Sequence, residues 1–317
     1  MKLVRYQSAA GPRLGFIDGA PSSNEQFIVA APNDPLFADT VAFIRSGSRG
    51  RRLAAALLKN RRAKRIKLAK AKLLAPLLPS TILCSGSNYT DHNAEKSNTP
   101  ISGKEPEFFV KTADCVIGPG AAIIHDERLS RKIDCETELA IVIGKAGRYI
   151  PVEKALDHVF GYTIVNDVTA RDRQVRQKDG VTWYELGRGK AFDSSAPLGP
   201  CIVTADEIGD PQNLTLRTRI NGEPRQSSHT GRMIWSCAQL IHFFSTNFTL
   251  KPGMVIITGT PSGTAWSVDK ELGGKFTPQP GLVAATRYCL PGDIVESEIE
   301  KIGILRNPIK AYSAGSA

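Results

Sequence analysis

The segment Arg131–Lys145, RKIDCETELAIVIGK, sets two glutamates, Glu136 and Glu138, at the head of an apolar run from Leu139 to Ile143. A short apolar run of this kind reads as a strand buried on both faces, which must lie inside a sheet covered on its two sides. The two-residue period of a strand puts both carboxylates on one face, with Cys135, Thr137 and Leu139 on the other. Two anions a few ångströms apart repel, so the pair is costly unless a cation sits between them or one carboxyl keeps its proton. Downstream, in Gly161–Asp172 (GYTIVNDVTARD), Asp167 follows a second apolar run, Tyr162–Val165, and brings a third carboxylate to a strand end. Three hard oxygen ligands, with positions left for water and substrate, describe a Mg²⁺-type site rather than a zinc site.

Composition narrows the partners. In 317 residues, a 41% hydrophobic content is ample for a sizeable core, and the net charge is +10. That excess is local: residues 45–72 hold 12 Lys or Arg and no acid, which leaves the rest of the chain close to neutral. The basic segment lacks aromatic side chains that stack on bases, so a nucleic-acid partner is disfavoured and a linker helix with a solvated cationic face is expected. A phosphate-binding role, or recruitment of an anionic substrate, stays open for it. Six cysteines are scattered without a C-x-x-C pair, as expected of buried, reduced thiols in a cytosolic protein. Met1–Gly11 has no apolar signal core, and no apolar stretch approaches the ~18 residues of a membrane span, so a cytoplasmic protein is expected.

Taken in order, Lys2–Tyr6 and Arg13–Ile17 are strand-like pieces around Gly11-Pro12, and Asp18-Gly19 ends them with a hairpin signal. A helical pattern runs from Asp39 through Leu53–Leu74 until Pro76 and Pro79 stop it. The expected division is a small β-rich N-terminal domain, 1–78, with a basic helical linker at about 45–75, and a second domain over 79–317. From Ser80 onward the chain reads as mostly β, an α+β domain with helices expected over Thr169–Gln177 and Gly231–Ser245.

Several residues are suited to acid–base or binding work. His92 and Glu95 stand three apart, a spacing at which one helical turn lets a carboxylate fix the imidazole's tautomer and raise its basicity. Lys190 follows a glycine-rich approach, Gly187-Arg188-Gly189, and is placed to stabilise a developing enolate or carboxylate. Arg171 lies one turn beyond Asp167, either as a carboxylate clamp or as a helix-surface ion pair. Gly259-Thr260-Pro261-Ser262-Gly263 is a tight loop that either binds an anion or merely turns the chain. The phosphate loop, the serine-hydrolase elbow and the H-E-x-x-H zinc motif are all absent.

The ordered set Gly86-Ser87-Asn88-Tyr89 with His92 and Glu95, Pro106-Glu107-Phe108-Phe109 with Lys111, Glu136-x-Glu138-Leu139, Asn166-Asp167, Ala170-Arg171-Asp172, Lys190-Ala191-Phe192-Asp193, Gly259-Thr260-Pro261 and Pro291-Gly292-Asp293 resembles the fumarylacetoacetate hydrolase family, from about Thr81 to Pro308. The resemblance implies a mixed β-roll catalytic domain behind a small N-terminal domain, and a homodimer. It also implies Mg²⁺ or Mn²⁺, with Ca²⁺ in some members, on Glu136, Glu138 and Asp167. In that pattern His92 with Glu95 activates water and Lys190 stabilises the oxyanion, while Tyr89, Lys111, Arg171, Gln174 and Thr260 contact the substrate. Ser87 stands where many members carry Arg or Lys, and the loop Thr264–Ala285, with Trp266, is longer than in compact members; both bear on substrate choice. The leading expectation is hydrolysis of a carbon–carbon bond in a 2,4-dioxo acid of the acylpyruvate or fumarylpyruvate type. The alternatives are decarboxylation of an oxaloacetate-like acid, tautomerisation or hydration of a ring-cleavage dienoate, and, in another class, a non-catalytic binder using the basic segment. Asn93–Glu105 is the segment expected to act as a lid.

Overall fold

The apolar run after Glu138 forms the strand Thr137–Ile143, every residue of which is buried. It is flanked by Val159–Asn166 on one side and Val255–Ile257 on the other, both antiparallel to it. Successive side chains leave in opposite directions, with Leu139, Ile141 and Ile143 in one core and Ala140 and Val142 in another. A strand covered on both faces requires this arrangement. These features come from a computed structural model that describes residues 1–19, 26–95, 104–179, 181–276 and 279–314.

A twelve-stranded sheet runs through Arg65–Lys67, Phe27–Ala30, Gly11–Asp18, Lys2–Ser8, Ala196–Thr204, Val159–Asn166, Thr137–Ile143, Val255–Ile257, Ile82–Gly86 and Glu107–Lys111, with Leu73–Leu74 and Val116–Ile117 pairing off that path. A five-stranded sheet is ordered Glu223–His229, Thr215–Ile220, Ile294–Ile299, Gly303–Ala311, Ile123–His125. The helix Cys237–Asn247 starts in a capping box between Ser236 and Gln239. Its Leu240, Ile241 and Phe244 join Leu139, Ile141, Ile299 and Leu305 in the larger core, which therefore binds the helix and the two sheets together. The architecture is α+β and sheet-dominated, as expected.

The N-terminal strands belong to the same sheet as the rest. Lys2 pairs with Val203 and Leu3 with Ile202. Val4 and Tyr6 enter one core, Leu3 and Phe16 the other. Segments 1–78 and 79–317 thus share a sheet and both cores, with the chain crossing between them at Pro76-Leu77-Leu78-Pro79.

The helix expected through Leu53–Leu74 is shorter than the sequence pattern suggests. It spans Gly47–Lys59, and beyond it the chain forms the strands Arg65–Lys67 and Leu73–Leu74. Between Lys59 and Lys67 the one large apolar residue is Ile66, too little for a helical stripe but enough for the inward position of an edge strand, where it packs on the larger core. Arg65 pairs with Asp18, and the other basic side chains of 45–72 are exposed. The helix expected over Thr169–Gln177 contracts to Arg171–Gln174, because Thr169–Ala170 pairs with Ile133–Asp134 and Val175–Lys178 turns into a hairpin with Val181–Tyr184. Of the expected lid, residues 96–103 lie outside the described residues. All six cysteines are buried and free, and no helix among the described residues is long and apolar enough to cross a membrane.

Candidate metal centre and active site

Strand register assembles the acidic cluster. Thr137 pairs with Asn166 and Glu138 with Val165, the Asn166 side chain accepts from the Glu136 N–H at 2.9 Å, and the Asp167 N–H donates to the Glu136 carbonyl at 2.8 Å. Glu136, Glu138 and Asp167 consequently converge, all buried, with carboxylate oxygens within 4.8 Å of one another. Thr137 points the other way and bonds Ser297 at 2.7 Å, the alternation that the sequence predicts.

Cations brace two of the three carboxylates. Lys190, at the end of the helix Leu186–Lys190, donates to Glu136 at 2.5 Å and to Asp167 at 2.6 Å. The approach of that helix depends on Gly189, where a Cβ would sit 2.5 Å from the Cβ of Gln174. The Arg171 guanidinium bonds Glu136, and it also donates to Asp134 at 2.9 Å and to the Gln174 side-chain oxygen, Oε1, at 3.0 Å. Burial alone would raise the Glu136 carboxyl, yet Arg171 and Lys190 hold it well below the ordinary range.

Glu138 is different. It accepts from the Gly259 N–H at 2.7 Å, and no lysine or arginine pairs with it among the described residues. Burial, with Asp167 and Glu136 beside it, pushes its carboxyl well above the usual range. Asp167 Oδ1 also lacks a hydrogen-bond donor, since Lys111 Nζ lies 2.7 Å away but off the hydrogen-bonding direction. Glu138, with no cation of its own beside two other buried carboxylates, fits a divalent ion, which removes the repulsion and takes oxygen donors. The oxygen donors of Glu136, Glu138 and Asp167 fit a metal ion.

The His92–Glu95 pair forms as expected, Nδ1 to Oε2 at 2.9 Å, with both side chains buried. The Gly263 N–H donates to the other Glu95 oxygen at 2.7 Å, but burial outweighs it and pushes the carboxyl up to about 8. His92 lines the same cavity as Glu136, Glu138, Asp167, Arg171, Gln174, Lys190 and Thr260. Trp266, on the long loop, packs its ring 6.4 Å from His92 and under Arg171 at 5.1 Å.

Of the expected substrate contacts, Arg171, Gln174 and Thr260 line the cavity and Tyr89 and Lys111 do not. Tyr89 is fully buried in the larger core rather than at the cavity, where it forms an isolated antiparallel bridge with Met233, which packs on the same core. Lys111 is also fully buried, held by the Ser195 carbonyl at 2.6 Å and beside Asp167, so it braces that carboxylate from behind the cavity. Arg171 reaches the cavity while also bonding Asp134, Glu136 and Gln174, so those three hold its guanidinium in place. The Thr260 hydroxyl donates to the Thr137 carbonyl at 3.1 Å and accepts from Gln226 at 2.9 Å, so its loop is anchored to the ligand strand. Gln174 lines the cavity, and its side-chain oxygen accepts from Arg171 at 3.0 Å.

Asp134 is a site residue that the sequence reading passed over. It accepts from Arg171 at 2.9 Å and from the backbone N–H groups of Ala265 and Trp266 at 3.0 and 3.1 Å, tying the guanidinium to the loop that carries Trp266. Its signal was present: Asp134, Glu136 and Glu138 follow one two-residue period. Gln226, which secures Thr260, comes from the second sheet with no local cue.

Comparison with known proteins matches this arrangement. A family model described as fumarylacetoacetate (FAA) hydrolase, C-terminal, covers residues 81–310. Oxaloacetate tautomerase FAHD2A, mitochondrial, of Bos taurus is 37% identical over 317 residues, 98% of this chain and 91% of its own. Oxaloacetate tautomerase YisK of Bacillus subtilis (strain 168) is 41% identical over 244 residues, 76% of this chain and 74% of its own. Among solved structures, maleylpyruvate hydrolase from Sphingobium sp. SYK-6, in complex with manganese(II) and pyruvate, superposes with a TM-score of 0.74 at 27% identity, over 99% of this chain and 100% of that one. A fumarylacetoacetate hydrolase from psychrophilic Exiguobacterium antarcticum gives 0.76 at 33% identity, over 98% and 100%. Matched along most of its sequence and across its fold, the chain belongs to the fumarylacetoacetate hydrolase family and is an enzyme of that superfamily.

Proposed function

We propose that the enzyme interconverts the keto and enol forms of an oxaloacetate-like 2-oxo diacid at a divalent-ion centre. The observation that carries this reading is one buried cavity holding three convergent carboxylates and a His–Glu acid–base pair. The tautomerase names of relatives aligned over 98% of the chain favour it over carbon–carbon hydrolysis, the leading expectation from sequence. Glu136, Glu138 and Asp167 are the residues that would hold Mg²⁺ or Mn²⁺, and such an ion supplies Lewis-acid polarisation of the 2-oxo oxygen when bound.

The chain's own groups then have defined tasks. Glu95 fixes His92 through Nδ1, which leaves proton exchange with a cavity ligand to Nε2. His92 takes the proton from C3 of the keto form, and a proton is delivered to the 2-oxygen, so the net change is one proton moved from carbon to oxygen. Lys190 offers cationic stabilisation to the enolate oxygen from its place between Glu136 and Asp167. Gln174 donates its amide to a substrate oxygen, and Trp266 and Phe109 wall the cavity against water. No water is consumed and no carbon–carbon bond breaks. The family resemblance extends this proposal to a homodimer, which light scattering at twice the 34.3 kDa chain mass would register.

The test is the decay of enol-oxaloacetate absorbance with Mg²⁺ or Mn²⁺, run beside assays for carbon dioxide and pyruvate and a panel of acylpyruvates. Accelerated enol decay without either product is expected, abolished by chelator. Acylpyruvate cleavage with no effect on enol decay would return the hydrolase reading.

A further inference from the structure

Cys135 and Cys289 come from segments 154 residues apart, yet the pairing that shapes the site sets them side by side. The Cys289 N–H donates to the Ile133 carbonyl at 2.9 Å in an isolated antiparallel bridge, and the two sulfurs lie 3.8 Å apart. Both thiols are buried in a small cluster with Ile133, Val168 and Ala170, against the ligand-bearing segments. They also line a second cavity of about 160 Å³, separate from the one around His92, whose rim includes the exposed Glu223, Thr286 and Arg287. A small oxidant entering that cavity meets both sulfurs. Cys135 is bonded directly to Glu136 in the chain, and its own N–H donates to Asp134 at 2.9 Å.

We propose that Cys135 and Cys289 are an oxidation site, a thiol pair that peroxide closes to a disulfide, and that closure displaces Glu136 and weakens the ion centre. The second half rests on the metal reading given above; the first does not. One thiol attacks the peroxide O–O bond, becoming a sulfenic acid and releasing water. The other thiol displaces the sulfenic hydroxyl as a second water, so two thiols lose two electrons and two protons while one peroxide becomes two waters. A disulfide needs sulfurs about 2.05 Å apart, so the pair must close by roughly 1.8 Å. Cys289 lies outside any strand and Cys135 sits between Ile133–Asp134 and Thr137–Ile143, so movement at Cys135 passes to Glu136 through one peptide unit. The contact with Cys135, together with burial, holds the Cys289 thiol well above its ordinary range, so sustained peroxide rather than a trace is needed.

The test uses the full chain, exposed to hydrogen peroxide, alkylated and digested, with Mn²⁺ affinity measured in parallel. A peptide pair joined through Cys135 and Cys289 is expected, two hydrogens lighter than the reduced pair. Mn²⁺ affinity is expected to fall about tenfold or more, as disturbed ligand support does, and to recover with dithiothreitol. Cys289→Val and Cys289→Ser are expected to bind Mn²⁺ like the parent and to ignore peroxide, and two different side chains guard against one variant misfolding. Absence of the crosslink overturns the thiol pair. A crosslink with unchanged Mn²⁺ affinity overturns the coupling to Glu136. Failure of the reduced chain to bind Mn²⁺ removes the coupling and the metal reading together, while the crosslink mass still decides the first half.

Discussion

Glu95 keeps its proton at neutral pH because burial costs its anion more than the Gly263 N–H returns. Below about 8 the pair presents a protonated Glu95 to His92 Nδ1; above it, His92 donates Nδ1–H to the carboxylate and Nε2 becomes the base. The base-dependent limb of the rate is therefore predicted to rise with a midpoint near 8, and Glu95→Gln to move it toward the ordinary histidine range while lowering kcat; a pH–rate series checks both. Stability has the opposite slope. The folded carboxyl is raised from 4.5, so between that value and about 8 the folded state holds a proton that the unfolded chain has released, and stability falls as pH rises. Asp134→Ala leaves the buried Arg171 without one of its two carboxylates, a loss on the order of 3–5 kcal/mol that thermal denaturation would register. The clustered carboxylates were legible because Glu136 and Glu138, at a two-residue period, contradict the apolar run they lead into, and Asp167 ends a second such run. Asp134 obeys the same period but stands near Arg131 and Lys132, ahead of the apolar run, where an acid contradicts nothing. That Arg171 bonds Asp134, Glu136 and Gln174 together is a matter of convergence in space, which spacing along the chain does not encode.

At the scale of elements, the strands around the site were readable from apolar runs, while short helices and hairpins were not. The Arg171–Gln174 turn, the Val175–Lys178 and Val181–Tyr184 hairpin and the Leu186–Lys190 helix are held by contacts with one another and with the sheet, so local propensity alone does not specify them. Their packing rests on Gly189. Gly189→Ala brings a methyl group to 2.5 Å from Gln174 Cβ and is predicted to cost about 1–3 kcal/mol and to shift Lys190 off Glu136 and Asp167. The measurable result is a lower melting temperature with a fall in kcat larger than any change in KM. Unchanged kcat would mean that the helix does not set the lysine's position.

For the whole molecule, the start of the basic segment and the site occupy opposite ends of the same strand. Glu138 stands near the start of Thr137–Ile143, and just past its end Gly144 and Lys145 share a cavity wall with Arg45 and Arg51. At ~3.3 Å per residue that separation is roughly 20 Å, about two Debye lengths at physiological salt, so substrate steering from the basic segment is largely screened. Replacing Arg49, Arg52, Arg61 and Arg62 by Gln is predicted to leave kcat/KM within about twofold, measured with enol-oxaloacetate at physiological salt. The N-terminal strands complete the catalytic sheet, a continuity that the composition break at 45–72 concealed. What unites all three scales is the proposal that a buried carboxylate trio holds one divalent ion, and calorimetric titration of Mn²⁺ into the chain and into Glu138→Gln tests it most directly. One ion per chain, with affinity lost in the variant, is the predicted result; equal binding by both, or none by the parent, would contradict it.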